Sequence, residues 1–410
     1  MARWFAFILL LSVAQPLAAQ TTNDFFNGDV LQEIRIDVNP KDWKRLKDNF
    51  LENTYYPADM HWVFNGKFVE APQVAIRSRG TGSRSGVKPG LLVDFDRYNS
   101  RRRFLGLKSV VLRNNVQDAT MLHERVSFAF MRRLGIPAPR AVHARLLVNG
   151  EYMGLYTIVE NIDDAYLADR FKDGDARLFE YDYGRFDPPY FFGYKGDATA
   201  QYSPTPFKPA THASDPQADR IAEMVRTINQ ATNAQFDSAV GAYLDWDAFI
   251  AELSAEAYLA EADGIVGDFG LNNFFLYRQS ATNRYQLVPW DKSQTFDSVA
   301  RPLWNNIFSN VLTNRAFLAA GGVPRLRDAF TKALIAAAAS AGGSGGWLEQ
   351  EIVKEYNQIR DAARLDTQKF CDFNRIGALL PCTNDNFEAG ITDMILFART
   401  RNDRLVYSIP

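Results

Sequence analysis

The segment from Asp263 to Asp291 constrains the fold most, because it alternates strand-like apolar runs with acidic and amide residues. Phe274 to Tyr277 and Tyr285 to Val288 have β-favouring composition, and the residues between them have turn composition. The segment therefore predicts a β-hairpin with polar side chains at both ends. Because both ends of a hairpin lie on the same side, these side chains should converge. The polar residues are Asp263, Asp268, Asn272, Asn273 and Asp291.

Carboxylate and amide oxygens grouped in this way suit a hard cation such as Mg²⁺ (or Mn²⁺) and a phosphate-bearing ligand. The spacing also resembles protein kinases, in which a metal-binding Asn follows the catalytic Asp by five residues and a second metal-binding Asp follows a hairpin. Here Asn273 follows Asp268 by five residues, and Asp291 follows the predicted hairpin. The alternative interpretation is that the Asp-Gly and Asn-Asn pairs are only turn residues.

A second segment combines small residues with positive charge. A predicted strand ends in Arg77-Ser78-Arg79-Gly80, a Gly- and Ser-rich turn follows, and another strand begins after Lys88. Gly and Ser let backbone N–H groups approach an anion closely, while arginine and lysine supply charge. The segment therefore predicts phosphate binding, and the alternative is a solvated hairpin tip. The cations of the segment are Arg77, Arg79, Arg84 and Lys88.

The N-terminus predicts a targeting segment. Arg3 precedes an apolar run, and the small residues ending at Ala19 offer a cleavage site, so residues 1–19 are expected to be a secretory signal peptide. The mature chain contains no apolar run long enough to form a stable membrane span, and we expect a secreted or periplasmic protein. The balance of 46 Lys and Arg against 48 Asp and Glu gives no basic excess that would favour nucleic acid.

The cysteine and histidine content narrows the chemistry. Cys371 and Cys382 are the two cysteines, and in an oxidising compartment this pair predicts one local disulfide, with two buried thiols as the alternative. The four histidines show no zinc-ligand spacing, which argues against a zinc site. Their scarcity, together with the absence of a G-x-S-x-G motif, argues against a His-based hydrolase.

The order of predicted elements indicates two regions. Residues 25–160 are mostly antiparallel β structure with one helix, and hairpin turns are predicted at Asn65-Gly66 and Asn149-Gly150. Residues 161–410 are mainly helical and contain the hairpin described above. Residues 185–219 are rich in Pro, Gly and aromatic residues, which predicts a long surface insertion. We expect a β-rich N-lobe followed by a mainly helical C-lobe.

Residues 74–297 resemble the spore coat protein H (CotH) family of secreted kinases over an ordered set of motifs. The matching stretches are IRSRGTGSR, KPGLLVDF, FLGLKSVVLRNNVQD, ERVSFAFMRRLGIPAPRA, LLVNGEYMGLYTIVENID, DGIVGDFGLNNFFLY and VPWDKSQTF. The resemblance implies an α+β, bilobal, atypical protein-kinase-like fold. It also implies an enzyme that uses ATP and Mg²⁺ to phosphorylate Ser or Thr of a protein substrate.

The resemblance implies roles for individual residues. Lys88 is similar to the lysine that binds the α- and β-phosphates, and Glu124 to the helix glutamate that orients that lysine. Glu160 falls where the hinge between the lobes should run. Asn273 and Asp291 are similar to the metal ligands. One departure is that Lys88 is followed by Pro89-Gly90, which could displace its ammonium group.

Two aspartates compete for the role of the catalytic base that accepts the hydroxyl proton. The five-residue interval favours Asp268, whereas the Asp-Gly pair after an Ala-rich helix favours Asp263. A base on a fixed backbone at a helix end is better placed than one in a Gly-flanked loop, so Asp263 is the preferred candidate. Asp268 would then contact substrate or a second metal.

Three functions remain open at this point. The first is a secreted, Mg²⁺-dependent protein Ser/Thr kinase, which needs positioning and charge neutralisation more than covalent chemistry. The second is a non-catalytic binding or structural protein of the cell envelope that keeps a kinase-like fold, since ATP is scarce outside the cytoplasm. The third is a metal-dependent phosphoesterase that uses the same carboxylates.

Overall fold

The computed structural model describes residues 20–182, 189–318, 322–373 and 379–405, so the predicted signal peptide lies outside the described residues. The strands are β1 (Gln32–Val38), β2 (Tyr56–Phe64), β3 (Lys67–Ser78), β4 (Leu91–Asp94), β5 (Ser109–Arg113), β6 (Ala141–Val148), β7 (Glu151–Glu160), β8 (Arg177–Tyr181), β9 (Phe207–Pro209), β10 (Phe274–Arg278), β11 (Tyr285–Pro289), β12 (Phe370–Phe373) and β13 (Leu379–Pro381). The α-helices are α1 (Thr22–Phe25), α2 (Pro40–Asp48), α3 (His123–Arg133), α4 (Asp164–Phe171), α5 (Asp219–Gln230), α6 (Phe236–Gly241), α7 (Trp246–Tyr258), α8 (Val311–Thr313), α9 (Pro324–Ala341), α10 (Trp347–Leu365) and α11 (Asn384–Leu405). A 3₁₀ turn covers Thr199–Gln201, and a π-helical turn covers Asn314–Leu318.

Strands β1 to β7 form a closed barrel in the order β1-β2-β3-β4-β5-β7-β6. Neighbouring strands are antiparallel except β1 and β6, which are parallel and close the barrel. The turns at Asn65-Gly66 and Asn149-Gly150 join β2 to β3 and β6 to β7, and all four residues have positive φ, as a tight hairpin requires. The predicted hairpins are therefore confirmed, whereas closure of the strands into a barrel was not predicted.

The barrel interior is filled by apolar side chains that alternate along the strands. In β1, Ile34, Ile36 and Val38 are buried while the residues between them are more exposed, which is the period of two expected for a strand with one core face. Trp62 and Tyr156 are fully buried in the same cluster. This packing supports β5 and β7. Strand β5 ends at Arg113, a residue of the candidate functional site.

The residues after the barrel are mainly helical and include a small sheet, so the chain is a mixed α+β structure. This sheet has the strand order β11-β10-β8-β9. The hairpin predicted from the sequence is confirmed as β10 and β11, with Phe274 paired to Pro289 and Arg278 to Tyr285. Strand β9 and the 3₁₀ turn belong to the predicted insertion at 185–219, of which residues 185–188 lie outside the described part of the chain.

Two further findings bear on the sequence predictions. Cys371 and Cys382 form a disulfide with a Cα–Cα distance of 5.0 Å, so the predicted pairing is confirmed. In the described part of the chain, none of the helices combines the length and the apolar character needed to cross a membrane.

Candidate functional site

Four of the five polar residues predicted to converge, Asp263, Asn272, Asn273 and Asp291, lie at the two adjacent ends of the β10–β11 hairpin, whereas Asp268 has other partners. The side-chain nitrogen of Asn272 donates to both carboxylate oxygens of Asp263 at 3.0 Å. The side-chain nitrogen of Asn273 donates to Asp263 Oδ2 at 3.1 Å and to the main-chain oxygen of Asp263 at 2.8 Å. Across the hairpin, the N–H of Trp290 donates to the main-chain oxygen of Asn273 at 3.1 Å, which brings Asp291 next to the same loop.

Arg113 connects Asp291 to the barrel. Its Nη1 donates to Asp291 Oδ2 at 2.7 Å, and its Nη2 donates to Glu124 Oε1 at 3.0 Å. The other oxygen of Asp291 accepts a hydrogen bond from the Ser293 hydroxyl at 3.0 Å. Arg113 ends strand β5, and Glu124 lies in the first turn of α3. One planar guanidinium therefore bridges two carboxylates from different elements.

Burial and charge shift the pKa values of these carboxyl groups in different directions. Burial raises the pKa of Glu124 to about 7, although the charge of Arg113 opposes this shift. Burial also raises the pKa of Asp263 to about 6, against the hydrogen bond from Asn272. Burial acts in the same direction on Asp291, but the charge and hydrogen bond of Arg113 outweigh it, so its pKa is lowered. Asp291 is therefore the carboxylate most firmly held in its charged form.

A second arginine lies beside the first. The guanidinium groups of Arg79 and Arg113 lie 4.7 and 5.1 Å from the centre of the Trp290 ring, within cation–π range. Arg79 also lies 3.8 Å from Glu180. Burial lowers the pKa of Arg79 to about 10, so it remains a cation at neutral pH. A small concave pocket between the arginines is lined by Arg79, Gly80, Ser83, Gly90, Val111, Leu112, Arg113 and Asn114.

Lys88 lies outside the polar cluster formed by Asp263, Asn272, Asn273, Asp291, Arg79, Arg113 and Glu124. This corrects the predicted pairing of Lys88 with Glu124. The side chain of Lys88 is fully buried, and its ammonium donates to Asp366 at 2.6 Å and to the main-chain oxygen of Leu155 at 3.0 Å. Glu124 pairs with Arg113 instead.

Arg77 and Glu160 also have partners outside the cluster. Arg77 donates to Asn53 at 3.1 Å and to the main-chain oxygen of Ser78 at 3.0 Å. The buried carboxylate of Glu160, at the end of β7, pairs with Arg140 and Arg170. Of the residues predicted to bind the cofactor, the structure thus brings Arg79 and Glu124 to the cluster and holds Arg77, Lys88 and Glu160 in other contacts.

The hydrogen-bond partners of Asp268 differ from those of Asp263, which corrects the predicted convergence of Asp268 with the other polar residues. The carboxylate of Asp268 accepts hydrogen bonds from Arg301 at 2.7 and 3.1 Å, and from Asn305 and Asn306 at 3.1 and 3.0 Å. Burial raises its pKa, but these bonds and the charge of Arg301 lower it overall. The contacts tie the loop at Asp268 to the segment after β11, so the two candidate bases lie in different surroundings.

The cluster offers oxygen ligands of the kind that Mg²⁺ prefers. In the described ranges there is no group of three or more His, Cys, Asp and Glu side chains that could hold a metal ion. Asn273 uses its side-chain nitrogen for Asp263, which leaves its side-chain oxygen for a cation. Asp291 supplies a carboxylate whose Oδ1 has only the Ser293 hydroxyl among the contacts described. The donor chemistry therefore fits a magnesium ion.

Sequence reasoning missed Arg113, although the residue lies in the LRNN stretch that carries the resemblance. A cation at the end of a buried strand, followed by an Asn-Asn turn, was the available signal. It was not decisive, because the partners of Arg113 are 11 and 178 residues away along the chain. Only the fold brings them together.

Comparison with known proteins gives three findings. Residues 76–405 match the model of the family described as CotH kinase protein. Inner spore coat protein H of Bacillus subtilis (strain 168) is 24% identical over 362 residues, which cover 85% of this chain and 92% of that protein. The crystal structure of a Helicobacter pylori proinflammatory kinase, CtkA, aligns with 77% of this chain and 95% of its own, at 12% identity and a TM-score of 0.30, a likeness that carries no conclusion.

Proposed function

The chain belongs to the CotH kinase family, and from this premise we propose that it is a secreted, Mg²⁺- and ATP-dependent protein Ser/Thr kinase. The observation that carries the proposal is the convergence of Asp263, Asn273 and Asp291 beside Arg113. These residues come from both the barrel and the mainly helical region, as expected if residues 25–160 and 161–410 form the two lobes of a kinase-like fold. Phosphoryl transfer needs such grouped charges for positioning and electrostatic stabilisation.

We assign the metal to Asn273 and Asp291. A bound Mg²⁺ (or Mn²⁺) would neutralise charge on the phosphates of the nucleotide. Asp291 contributes a carboxylate that Arg113 keeps ionised, and Asn273 contributes a neutral amide oxygen held by its bonds to Asp263. Because Arg113 already occupies Asp291 Oδ2, the cation is expected to use Oδ1.

We assign the nucleotide phosphates to Arg79 and Arg113. Both guanidinium groups lie over Trp290 and close to Asp291, and both line the concave pocket. Arg113 takes the role that the resemblance gave to Lys88, since it is the cation paired with Glu124. A guanidinium presents several donors in one plane, which suits phosphate oxygens.

We assign the catalytic base to Asp263. Its carboxylate and its main-chain oxygen are both held by Asn273, so the base and one metal ligand share a rigid connection. The residue accepts the proton of the Ser or Thr hydroxyl of a protein substrate. Arg301 lowers the pKa of Asp268, which makes that carboxylate a weaker base, and Asp268 is assigned a supporting role in the loop.

The proposed location and partner are supported by the sequence and the family. Residues 1–19 have the order of charge, apolar run and small residues that directs secretion. The Bacillus relative is named as a spore coat protein, which agrees with an acceptor protein in the envelope or outside the cell. The runner-up function is a non-catalytic envelope binding protein, which is favoured by the ion pair that Arg113 makes with the proposed metal ligand Asp291.

A radiolabelled transfer assay tests the proposal. The purified protein, with γ-labelled ATP, Mg²⁺ or Mn²⁺ and dephosphorylated casein, should transfer label, and Asp291→Ala should reduce transfer at least ~100-fold. Thermal unfolding followed in parallel should show stabilisation of the wild type by about 2.7 kcal/mol at a hundredfold excess of Mg-ATP over Kd, and none in Asp291→Ala. Asp361→Ala removes an exposed carboxylate on α10 and serves as the control.

The outcomes separate the candidates. Stabilisation of the wild type by Mg-ATP without transfer to any acceptor would favour the non-catalytic protein. Transfer by Asp291→Ala at the wild-type rate would contradict the metal assignment.

A further inference from the structure

Behind the proposed metal ligands, one buried lysine joins both sides of the loop that carries them. Lys292 follows Asp291 directly, and its side chain is fully buried. Its ammonium donates to Glu256 Oε1 at 2.6 Å and to the main-chain oxygen of Asn273 at 3.0 Å. The other carboxylate oxygen, Glu256 Oε2, accepts the N–H of Ile265 at 2.8 Å. The pair therefore contacts the loop at Ile265 near its start and at Asn273 near its end.

The carboxylate of this pair is supported by a rigid element. Glu256 lies in the last turn of α7, which is largely buried against the helical core. Two further glutamates, Glu252 and Glu261, are buried nearby, and burial raises the pKa of Glu261 to about 8 and that of Glu252 well above its ordinary value. Of these three glutamates, Glu256 is the one whose carboxylate accepts the described hydrogen bond from the Lys292 ammonium.

The backbone next to the pair adopts a left-handed conformation at two residues. Asn273 and Asp291 have φ angles of 58° and 45°, in the left-handed region, which Asn and Asp enter more readily than other residues with a side chain but still less readily than glycine. Residues in this region keep their conformation only where surrounding contacts fix it. The main-chain oxygen of Asn273 accepts from both Lys292 and Trp290, which supplies such contacts.

We propose that the buried Glu256–Lys292 ion pair is a positioning device that fixes the loop from Asp263 to Asn273 in the geometry needed for metal binding. The identity of the metal ligands rests on the proposed function. The fixing of the loop by the ion pair rests only on the contacts described. Neither residue is a catalytic residue, because both act through the main chain of the loop. Loss of the pair loosens the loop while the rest of the fold persists.

The chain contains a matched control. Lys88 and Asp366 form another fully buried lysine–carboxylate pair, also at 2.6 Å. As in the first pair, the carboxylate accepts a main-chain N–H, here from Leu155 at 2.9 Å, and the ammonium donates to a main-chain oxygen, that of the same residue, at 3.0 Å. Glu256→Gln and Asp366→Asn therefore each remove the carboxylate charge from a fully buried lysine–carboxylate pair.

Hydrogen exchange followed by mass spectrometry compares the two variants. Glu256→Gln should accelerate exchange at least ~10-fold in peptides covering residues 263–273, and Asp366→Asn should leave these peptides unchanged while accelerating exchange around Leu155. Unchanged exchange of residues 263–273 in Glu256→Gln, or the same acceleration in Asp366→Asn, overturns the proposal. If Glu256→Gln does not fold, Glu256→Asp keeps the charge on a shorter side chain and should accelerate exchange of the same peptides to a smaller extent.

A second readout tests the consequence for metal. Binding of Mn²⁺ in the presence of a non-hydrolysable ATP analogue, followed by electron paramagnetic resonance, should be at least ~10-fold weaker in Glu256→Gln and within twofold of wild type in Asp366→Asn. A wild type that binds no Mn²⁺ contradicts the proposed function and, with it, the part of the proposal that concerns metal. In that case the hydrogen-exchange experiment still shows whether the Glu256–Lys292 pair fixes residues 263–273.

Discussion

Arg113 is the residue on which the charge balance of the candidate site depends. It is 12% exposed and pairs with two carboxylates, those of Glu124 and Asp291, which are 7% and 24% exposed. Buried ion pairs contribute little net stability, because desolvation offsets the attraction between the charges. These ion pairs instead orient the site, because a planar guanidinium holds both carboxylates at defined positions. A lysine would supply one charge without that planar geometry.

At the same scale, the two candidate bases make different predictions. Asp263→Ala is expected to lower phosphate transfer by about 10²–10⁴-fold, the usual contribution of a general base, with Mg-ATP binding retained. Asp268→Ala is expected to keep transfer within ~10-fold of wild type, because that carboxylate is bound to Arg301, Asn305 and Asn306. Labelled transfer and thermal shift with Mg-ATP, measured on both variants, check the two expectations. Full turnover in Asp263→Ala with loss in Asp268→Ala would reverse the assignment.

At the scale of elements, the β10–β11 hairpin positions the site. Five register pairs, from Phe274 with Pro289 to Arg278 with Tyr285, fix the ends of the two strands relative to one another. A slip of one residue would turn each side chain to the opposite face. The aromatic packing of Phe275 against Trp290 opposes such a slip, since their ring centres lie 5.6 Å apart in an edge-to-face arrangement.

The β12–β13 hairpin carries the disulfide and a stability prediction. Cys371 and Cys382 are 11 residues apart, and closing a loop of this length stabilises by about 2.5–3 kcal/mol in the chain-entropy model. The double variant Cys371→Ser, Cys382→Ser should lower the free energy of unfolding by up to that amount, measured by urea denaturation. Reductant should destabilise the wild type and leave the variant unaffected. Peptide mapping without reductant that finds two free thiols would contradict the pairing.

At the scale of the whole molecule, Arg125 joins the barrel to the helical region. On α3, its guanidinium donates to the main-chain oxygen of Gly28, to His143 on β6 and to Gln358 on α10, and it forms an ion pair with Glu355. The N- and C-terminal parts of the chain are therefore tied through one buried charge. The free energy of unfolding should therefore depend on the protonation state of the groups that contact Arg125.

His143 makes that dependence measurable. Its Nε2 donates to the main-chain oxygen of Met121 at 2.7 Å and its Nδ1 accepts from Arg125 at 3.0 Å, with Glu355 3.6 Å away. Burial, and then the charge of Arg125, lower its pKa from 6.5 to about 3. At pH values between about 3 and 6.5, the imidazole of His143 is protonated in the unfolded chain and neutral in the folded chain. Stability is therefore lost as pH falls below 6.5, by about 1.4 kcal/mol per pH unit.

Urea denaturation at pH 7.5 and 5.5 tests the effect. His143→Gln keeps a donor and an acceptor without titrating, so it should lose about 1.4 kcal/mol less than wild type between the two pH values. His212→Gln is the control, because that histidine is partly exposed and pairs with the exposed Asp175. An equal pH dependence in wild type and His143→Gln would contradict the assignment of a neutral buried histidine.

The sequence by itself determined the local features of this protein. The two β-favouring runs from Phe274 and Tyr285, the Asn-Gly turns and the cysteine pair were predicted and confirmed, because each depends on residues close together in the chain. The approach of Asp291 to Asn273 was predicted for the same reason, since one hairpin brings its two ends together, and the N–H of Trp290 donates to the main-chain oxygen of Asn273 at 3.1 Å. The motifs also identified the family correctly.

Only the tertiary structure decided which charges meet. Lys88 pairs with Asp366, 278 residues away, and Arg113 pairs with Asp291, 178 residues away. Closure of the barrel by β1 and β6 is equally non-local. A buried charge takes whichever opposite charge the packing brings within reach, because leaving it unpaired in a low-dielectric interior costs several kcal/mol. The choice of partner is therefore made by the packing of distant elements, and no spacing within the chain encodes it.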